Sequence, residues 1–563
     1  MFLFGVRLVQ VQALQANDYR SRAVNEMEKV KTLQAPRGDI TDINGLPFAR
    51  SVAATSIVVD QTQILNPAKT AAFVAPILGM STAEVQTAIT GKRKWYMVAE
   101  NAKPATWLKL TKAIDQYNAT LPGMSPERII GFFPERSYVR EYPSGSLIAS
   151  LIGFVNHDGI GATGLESSMN STISGINGKY SYANGYKAEI PGSQSEIIPA
   201  QAGTSIRLTV DRDIQWVASK AIADAVKSSN AISGTVIVMD PKTGQILAHA
   251  TAPTFDPNNT KNVTLDLMRN PSVQEVYEPG STGKVMTLAA ALEEKKITPT
   301  TVFTVPYALK RSDAVFRDHE PHPVQRLTST GILAVSSNTG SIKIGEMLSN
   351  DTLHSYLSKF GIGKSTGSGL PGESAGIFHP VKSWSGTSAP TIAFGHGYSV
   401  TAMQATSVFA TIANDGVRML PRLIAGYSNT EGVYEPTMID EGVRVVSPET
   451  AKTVREMLEG VVSEDGTAKN MQIPGYRVGG KTGTANRYDE ATGGYSGYTS
   501  SFIGMAPAEK PALVMSVSIH NPKTSTYGSV VAGPVFKKVM TYALAHKKVP
   551  PSTTKPPKLP VNW

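Results

Sequence analysis

The chain has 563 residues and no cysteine, with 54 Lys plus Arg against 45 Asp plus Glu, a net charge of +9. The cysteine count excludes disulfides, thiolate nucleophiles and Cys-based metal sites, and 41% apolar against 18% charged residues excludes a disordered chain. The length calls for about two to four domains; the thin positive excess suits an anionic neighbour such as a membrane surface or wall polymer and argues only weakly for nucleic acid, which is not expected as a partner.

The opening MFLFGVRLVQVQALQANDYR begins apolar, but Arg7, Gln10 and Gln12 interrupt it. A bilayer span takes about 20 apolar residues, so residues 1–20 read as an amphipathic helix or, more sharply, as the remnant of a membrane anchor. No later segment is long and apolar enough to span. Residues 15–33 are charged and helix-prone. APRGDITDINGLPFARS then reads as strand, Asn44-Gly45 turn, strand. Residues 66–120 look mostly helical, broken by Pro67, Pro76 and Pro104, and 131–200 hold short strands and turns. Residues 21–203 together make an N-terminal unit. From residue 204 TSIRLTV alternates as a strand should, and Asp211 caps a helix DIQWVASKAIADAVKSS with Ile214, Val217, Ala218, Ala221, Ile222 and Ala225 on one face. GTVIVMD and QILAHAT form a hairpin around Pro241-Lys242-Thr243-Gly244. A long helical middle and the later strands SFIGMAP and ALVMSVSIH make residues 204–546 an α+β layer domain. Residues 547–563, KKVPPSTTKPPKLPVNW, read as a Pro-rich disordered tail.

Three short patterns carry the chemistry. In EPGSTGKVMTLAAALEE, Ser281 and Lys284 share a face at the start of a helix. Serine needs a base, and a lysine serves if burial or a second cation keeps it neutral. The second Ser-x-x-Lys, Ser552 to Lys555, lies in the Pro-rich tail and is set aside. SSN and KTG each occur twice. Ser228-Ser229-Asn230 ends a helix and Lys242-Thr243-Gly244 fills a turn, both for backbone reasons. The later copies lie in other contexts. Ser336, Ser337 and Asn338 fall between two apolar segments, where Ser336 can relay a proton and Asn338 can hold a substrate amide. Lys481, Thr482 and Gly483 follow YRVGG; Gly479, Gly480 and Gly483 allow close approach of a ligand, and Lys481 can anchor a carboxylate and help keep Lys284 neutral.

The order Ser-x-x-Lys, Ser-x-Asn, Lys-Thr-Gly resembles the class B penicillin-binding proteins, most closely the division-type peptidoglycan D,D-transpeptidases of the FtsI family. RGDITDINGLPFA (37–49), the 142–175 segment with Gly161, Gly164 and Glu166, GTVIVMDPKTGQILAHATAPTFDPN, FGHGYSVTAMQ and SFIGMAPAEKPALVMSVSIHNPK extend the resemblance over nearly the whole chain. It implies a serine β-lactamase-like antiparallel sheet flanked by helices, preceded by an elongated non-catalytic pedestal. It implies that Ser281 attacks a terminal D-Ala-D-Ala peptide, Lys284 takes the proton, and the N–H groups of Ser281 and Thr484 hold the oxyanion. Ser336 and Asn338 then return the proton to the leaving D-Ala and hold substrate, and Ser337 is implied as a further substrate-binding residue. Lys481, Thr482, Gly483 and Thr484 form the carboxylate-binding edge. The implied partners are peptidoglycan stem peptides and their lipid-linked precursor, β-lactams, an FtsW-type glycosyltransferase, divisome proteins and the bacterial membrane, with the catalytic domain outside the cytoplasm. No cofactor or metal is implied, and nothing resembles the glycosyltransferase domain of the bifunctional class A proteins. Two positions depart from the family: Gly283, where a larger residue is usual, and His396, where glutamine is common. Helical glycine costs about 1 kcal/mol relative to alanine, so a looser catalytic helix is expected.

A D,D-carboxypeptidase or β-lactamase-like hydrolase, an elongation-type transpeptidase and a non-catalytic scaffold remain as alternatives. No deacylating glutamate segment stands between SSN and KTG, which disfavours the hydrolase. His319, Glu320 and His322 lie close together, but Pro321 and Pro323 block the helical spacing of a zinc pair, and a loop or strand edge is the preferred reading. Lys92, Arg93 and Lys94 read as a solvated patch, and GKYSYANGY as strand surface.

Overall fold

The computed structural model describes residues 28–183, 196–429, 431–489 and 494–562, with Gln10 and Gln15; the expected anchor remnant otherwise lies outside them. No described helix is long and apolar enough to cross a membrane.

The C-terminal unit is built on a five-stranded antiparallel sheet in the order Ile246–Ala252, Ser233–Met239, Leu513–His520, Gly494–Ala506, Gly479–Asp489. Helices cover both faces of the sheet, so its strands are buried on both sides even where polar residues alternate, as Ser516, Ser518 and His520 do. Leu513–His520 and Ile246–Ala252 are buried at every position. On one face Arg212–Ser228 lies beside Gly533–His546, while Ala402–Ala413, buried along its whole length, packs on the other. Asp211 caps the first of these through Asp213 N and Ile214 N, and the buried side is the predicted stripe Ile214, Val217, Ala218, Ala221 and Ile222.

The pedestal has its own core, formed by Ile57, Val74, Val85, Ile89, Leu110 and their neighbours. Helices Pro67–Leu78, Thr82–Ile89 and Pro104–Ala119 fill the expected helical stretch, with strand Tyr96–Ala102 between them. Pro67 and Pro104 occupy the first helical position, where the missing N–H costs nothing. Pro76 sits inside its helix instead of breaking it. Glu28–Leu33, within the segment expected to be helical, is a strand paired with Gly178–Ala183. Val30 and Thr32 are β-branched, which favours a strand over a helix here.

The two units are not merely linked. One seven-stranded sheet runs through both, because Ile206–Leu208 pairs in parallel with Ile40–Thr41 of the pedestal and antiparallel with Ile424–Ser428. Buried Glu166 clamps the pedestal side: Arg37 Nε donates to its Oε2 at 2.6 Å and Arg140 Nε to its Oε1 at 2.7 Å. This places the Arg-Gly stretch and the second N-terminal sequence pattern in one ion cluster. Docking continues through Asn258, which exchanges hydrogen bonds with the backbone of Tyr142, and through Gln215, whose Nε2 donates to Leu147 O.

Residues 547–562 correct the reading of a disordered tail. Val549 O accepts from Tyr476 Oη, Ser552 Oγ from Arg477 N, and Val561 O from Thr328 N. Val561 is buried, and Asn562 bridges Leu327. Proline-rich chain is already stiff and extended, so little entropy is lost when distant donors fix its carbonyls. Ser552 is thereby a structural acceptor.

Candidate active site

The nucleophile turn is set by its backbone. Gly280 has φ 55°, reached freely only by glycine, and its N–H donates to Gly395 O at 2.9 Å. Gly280–Gly283 forms one 3-10 turn and passes into helix Lys284–Glu293, whose first eight residues are all buried. Gly283 has φ −67°, so the conformation does not require glycine. Space does: a Cβ there would lie 2.3 Å from Tyr398 Oη and 2.8 Å from Gly395 Cα. The helix is therefore filled from outside by Tyr398, which replaces the expectation of a loose catalytic helix. His396 also packs under this turn, its Nδ1 2.6 Å from Glu278 Oε2, while Gly397 N donates to Glu278 Oε1. Gly283→Ala is expected to destabilise the protein by about 1–3 kcal/mol through overpacking. Tyr398→Phe should be near neutral, since the buried hydroxyl has no hydrogen-bond partner among the described residues. A double-mutant thermal cycle should show the two changes coupled, with the pair recovering part of the loss.

Ser336 occupies the left-handed region at φ 63°, a strained conformation for a serine. That turn brings its hydroxyl 2.8 Å from Ser281 Oγ and 2.9 Å from Lys481 Nζ. Lys284 Nζ donates to Ser336 O at 2.5 Å and Asn338 Oδ1 at 2.8 Å, with Ser336 Oγ at 3.3 Å. The hydrogen bond to Ser281 thus comes from Ser336 and not, as expected, from Lys284. Asn338 differs too: its Oδ1 holds Lys284 and its Nδ2 donates to Arg317 O, so its amide positions the base. Ser337 corrects the substrate-binding expectation. It is buried and caps helix Asn338–Gly345 through Gly340 N, with its Oγ donating to Asp318 Oδ2 at 2.7 Å.

Asp318 is the functional residue that sequence reasoning missed. Its Oδ1 accepts from Asn338 N at 2.6 Å and Thr339 N at 2.8 Å, two unpaired N–H groups of the helix start. His322 Nε2 lies 3.0 Å from its Oδ2. The usable signal is an acid ahead of a polar triplet that opens a helix; it stands beside His319, Glu320 and His322, in a stretch whose sequence reads as a loop or strand edge. Both imidazoles of that stretch have other partners: His322 meets Asp318, and the His319 ring stands edge-on to Tyr527 at 5.4 Å.

Strand Gly479–Asp489 forms the opposite wall, in register with Gly494–Ala506 (Lys481↔Ile503, Gly483↔Ser501). Gly483 makes room for its cross-strand neighbour and the nucleophile turn rather than for ligand: a Cβ would lie 2.4 Å from Ser501 Oγ, 3.0 Å from Thr282 Cγ2 and 3.2 Å from Pro279 O. Gly480 is closed by Phe502. Lys481 Nζ also reaches Thr482 Oγ1 at 3.3 Å, and Thr484 Oγ1 donates to Thr526 O. Both lysines are fully buried. Burial, and then the charge of Lys481, push Lys284 well below the ordinary lysine range, against a smaller opposing pull from Asp318. Burial brings Lys481 down to about 7. An amine whose pKa is lowered by burial and a second cation, beside a hydroxyl relay with a serine at its end, is the equipment of acyl transfer.

Residues 234–541 match the penicillin binding protein transpeptidase domain, and residues 32–208 match the penicillin-binding protein dimerisation domain. The chain belongs to the class B penicillin-binding proteins, the FtsI-type D,D-transpeptidase family. It is 33% identical to penicillin-binding protein PbpB of Mycolicibacterium smegmatis, over 99% of this chain and 90% of that one. Among solved structures it resembles a peptidoglycan synthetase from Bifidobacterium adolescentis, with a TM-score of 0.78 and 30% identity over 95% of this chain and 100% of that one. Penicillin-binding protein 3 of Mycobacterium tuberculosis, solved with aztreonam, matches at a TM-score of 0.73 and 29% identity over 95% and 100%. The protein is thus a penicillin-binding enzyme of the transpeptidase type, with a separate dimerisation-type pedestal.

Proposed function

We propose that this penicillin-binding protein is a serine D,D-transpeptidase that cross-links peptidoglycan stem peptides through an acyl-enzyme on Ser281, in septal wall synthesis. The observation that carries the reading is the buried, charge-depressed Lys284, joined to the Ser281 hydroxyl through Ser336. Ser281 Oγ attacks the penultimate D-Ala carbonyl. Its proton moves through the Ser336 hydroxyl, which can rotate to accept from one side and donate to the other, onto Lys284 Nζ. The oxyanion falls to the N–H groups of Ser281 and Thr484, since the nucleophile turn touches this strand: a Cβ at Gly280 would lie 3.0 Å from Thr484 O. Collapse breaks the C–N bond, and Lys284 returns the proton through Ser336 to the departing D-Ala amine. An amine of a neighbouring stem peptide then attacks the ester, forms the cross-link and frees Ser281. With a β-lactam the leaving nitrogen stays tethered, so the acyl-enzyme persists; that a β-lactam binds here is supported by the likeness to a relative solved in complex with aztreonam.

The hydrolase reading needs a carboxylate to activate water. Asp318 is committed to the Ser336 loop, and Glu278 to His396 and Gly397 N. By family likeness the enzyme is held at the bacterial membrane by an N-terminal anchor, acts outside the cytoplasm on stem peptides carried by the wall or its lipid-linked precursor, and works beside an FtsW-type polymerase and divisome proteins. Incubation with benzylpenicillin followed by peptide mass spectrometry is expected to place a single adduct on the Ser281 peptide, and Ser281→Ala should carry none. Repeated turnover of the penicillin, or an adduct elsewhere, would refute the proposal.

A further inference from the structure

Between helix Pro448–Val462 and the Lys481 strand the chain passes beneath the Ser336 loop as SEDGTA. The passage is locked by its backbone. A Cβ at Gly466 would lie 2.2 Å from Val461 O, Ala468 N donates to Val461 O, and Thr467 N donates to Ala334 O at 3.2 Å. Those bonds fix the loop without any help from the Thr467 side chain. The side chain is exposed, and its Oγ1 lies 3.3 Å from Thr482 Oγ1. Thr482 Oγ1 in turn lies 3.3 Å from Lys481 Nζ. A hydroxyl, a hydroxyl and an amine therefore stand in a row at the rim of the cleft, ending at the cation assigned to the substrate carboxylate.

We propose that Thr467 is a third member of the carboxylate site, its hydroxyl binding the free C-terminus of the acyl donor beside Thr482 and Lys481. This rests on the transpeptidase reading. The chemistry follows from the donors. Thr482 Oγ1 can accept from the Lys481 ammonium and still donate its own proton, and Thr467 has a freely rotating hydroxyl of the same kind. Hydrogen bonds to a carboxylate are roughly twice as strong as neutral ones. Burial brings Lys481 down to about 7, so in the empty site near neutrality the ammonium is only partly charged and neutral donors carry more of the recognition. The site therefore selects a terminal carboxylate over an amide or ester terminus, and the selection extends beyond the Lys-Thr-Gly strand to a loop outside the three sequence motifs.

The test compares acylation of the full chain by benzylpenicillin and by its methyl ester, which differ only at the group in question. Thr467→Val is expected to slow acylation by benzylpenicillin roughly tenfold and to leave the methyl ester rate within about twofold of the parent. Thr467→Ser should restore the penicillin rate. Unchanged thermal melting of both variants keeps the comparison free of folding effects. Equal slowing with both compounds would make Thr467 a structural support, and no slowing with either would remove it from the site; both overturn the proposal. A parent protein that benzylpenicillin never acylates would instead overturn the transpeptidase reading on which it rests.

Discussion

Lys284→Met is expected to lower the rate of Ser281 acylation by about 10³-fold or more, and to make the protein more stable near neutral pH. Methionine fills much the same buried volume, so the helix and the Ser336 loop should remain in place. What is lost is the proton acceptor; Lys481, 2.9 Å from Ser336 Oγ, is the one neighbouring amine left among the described residues to accept a proton through the relay, and the residual rate is expected to come from it. The stability gain follows from the direction of the shift. The folded pKa of Lys284 lies well below its unfolded value of 10.5, so between the two the unfolded chain binds a proton that the folded one does not. Parent stability therefore rises with pH across that window, and the advantage of the methionine variant grows as pH falls from 10.5. The same lysine pair shapes the rate. Acylation of the parent should be bell-shaped in pH. Lys284 must lose its proton on the acid side, and above about 7 Lys481 loses the charge that attracts a carboxylate. Lys481→Arg, which keeps its charge, should flatten the alkaline limb and leave the acid limb. Stopped-flow acylation across pH, beside chemical denaturation at the same values, checks both halves. A methionine variant that acylates at the parental rate would show that the base is elsewhere.

The ordered motifs made Ser281, Lys284, Ser336 and Lys481 legible in the sequence, because each sits where a local pattern dictates the backbone: a tight entry, a helix start, a strand. Helix Arg212–Ser228 was legible for the same reason, with its periodic stripe and its cap. What stayed hidden depends on partners far away in the chain. Asp318 acts through two N–H groups of another segment, and Gly283 makes sense only with Tyr398 above it. The tail looked disordered by composition, yet its order comes from Tyr476, Arg477 and Thr328. Asn338 shows a further limit. Its residue type announces an amide, but whether the amide faces substrate or holds Lys284 is decided by where the lysine amine ends up.

Glu166→Ala is expected to destabilise the protein by roughly 3–5 kcal/mol, the cost of stranding buried charge. The carboxylate is fully buried, and the side chains of Arg37 and Arg140 are only 8% and 4% exposed. Without Glu166 two guanidiniums face each other inside the pedestal. Arg37 keeps Asn170 Oδ1, Ser174 Oγ and the Glu166 backbone carbonyl, and these neutral acceptors do not cancel its charge. Glu166→Gln retains the shape and part of the hydrogen bonding, so it should fall between the alanine variant and the parent. The consequence should reach the catalytic unit, because Ile206 pairs with both Ile40 and Tyr427 in the sheet that joins the two units. Calorimetry should record a fall in the unfolding midpoint of about 3–5 °C for two units that melt together. The temperature at which penicillin trapping by Ser281 disappears should fall with it. If trapping survives to the parental temperature while the calorimetric transition drops, the shared sheet does not couple the pedestal to the site, and the pedestal is a passive stalk.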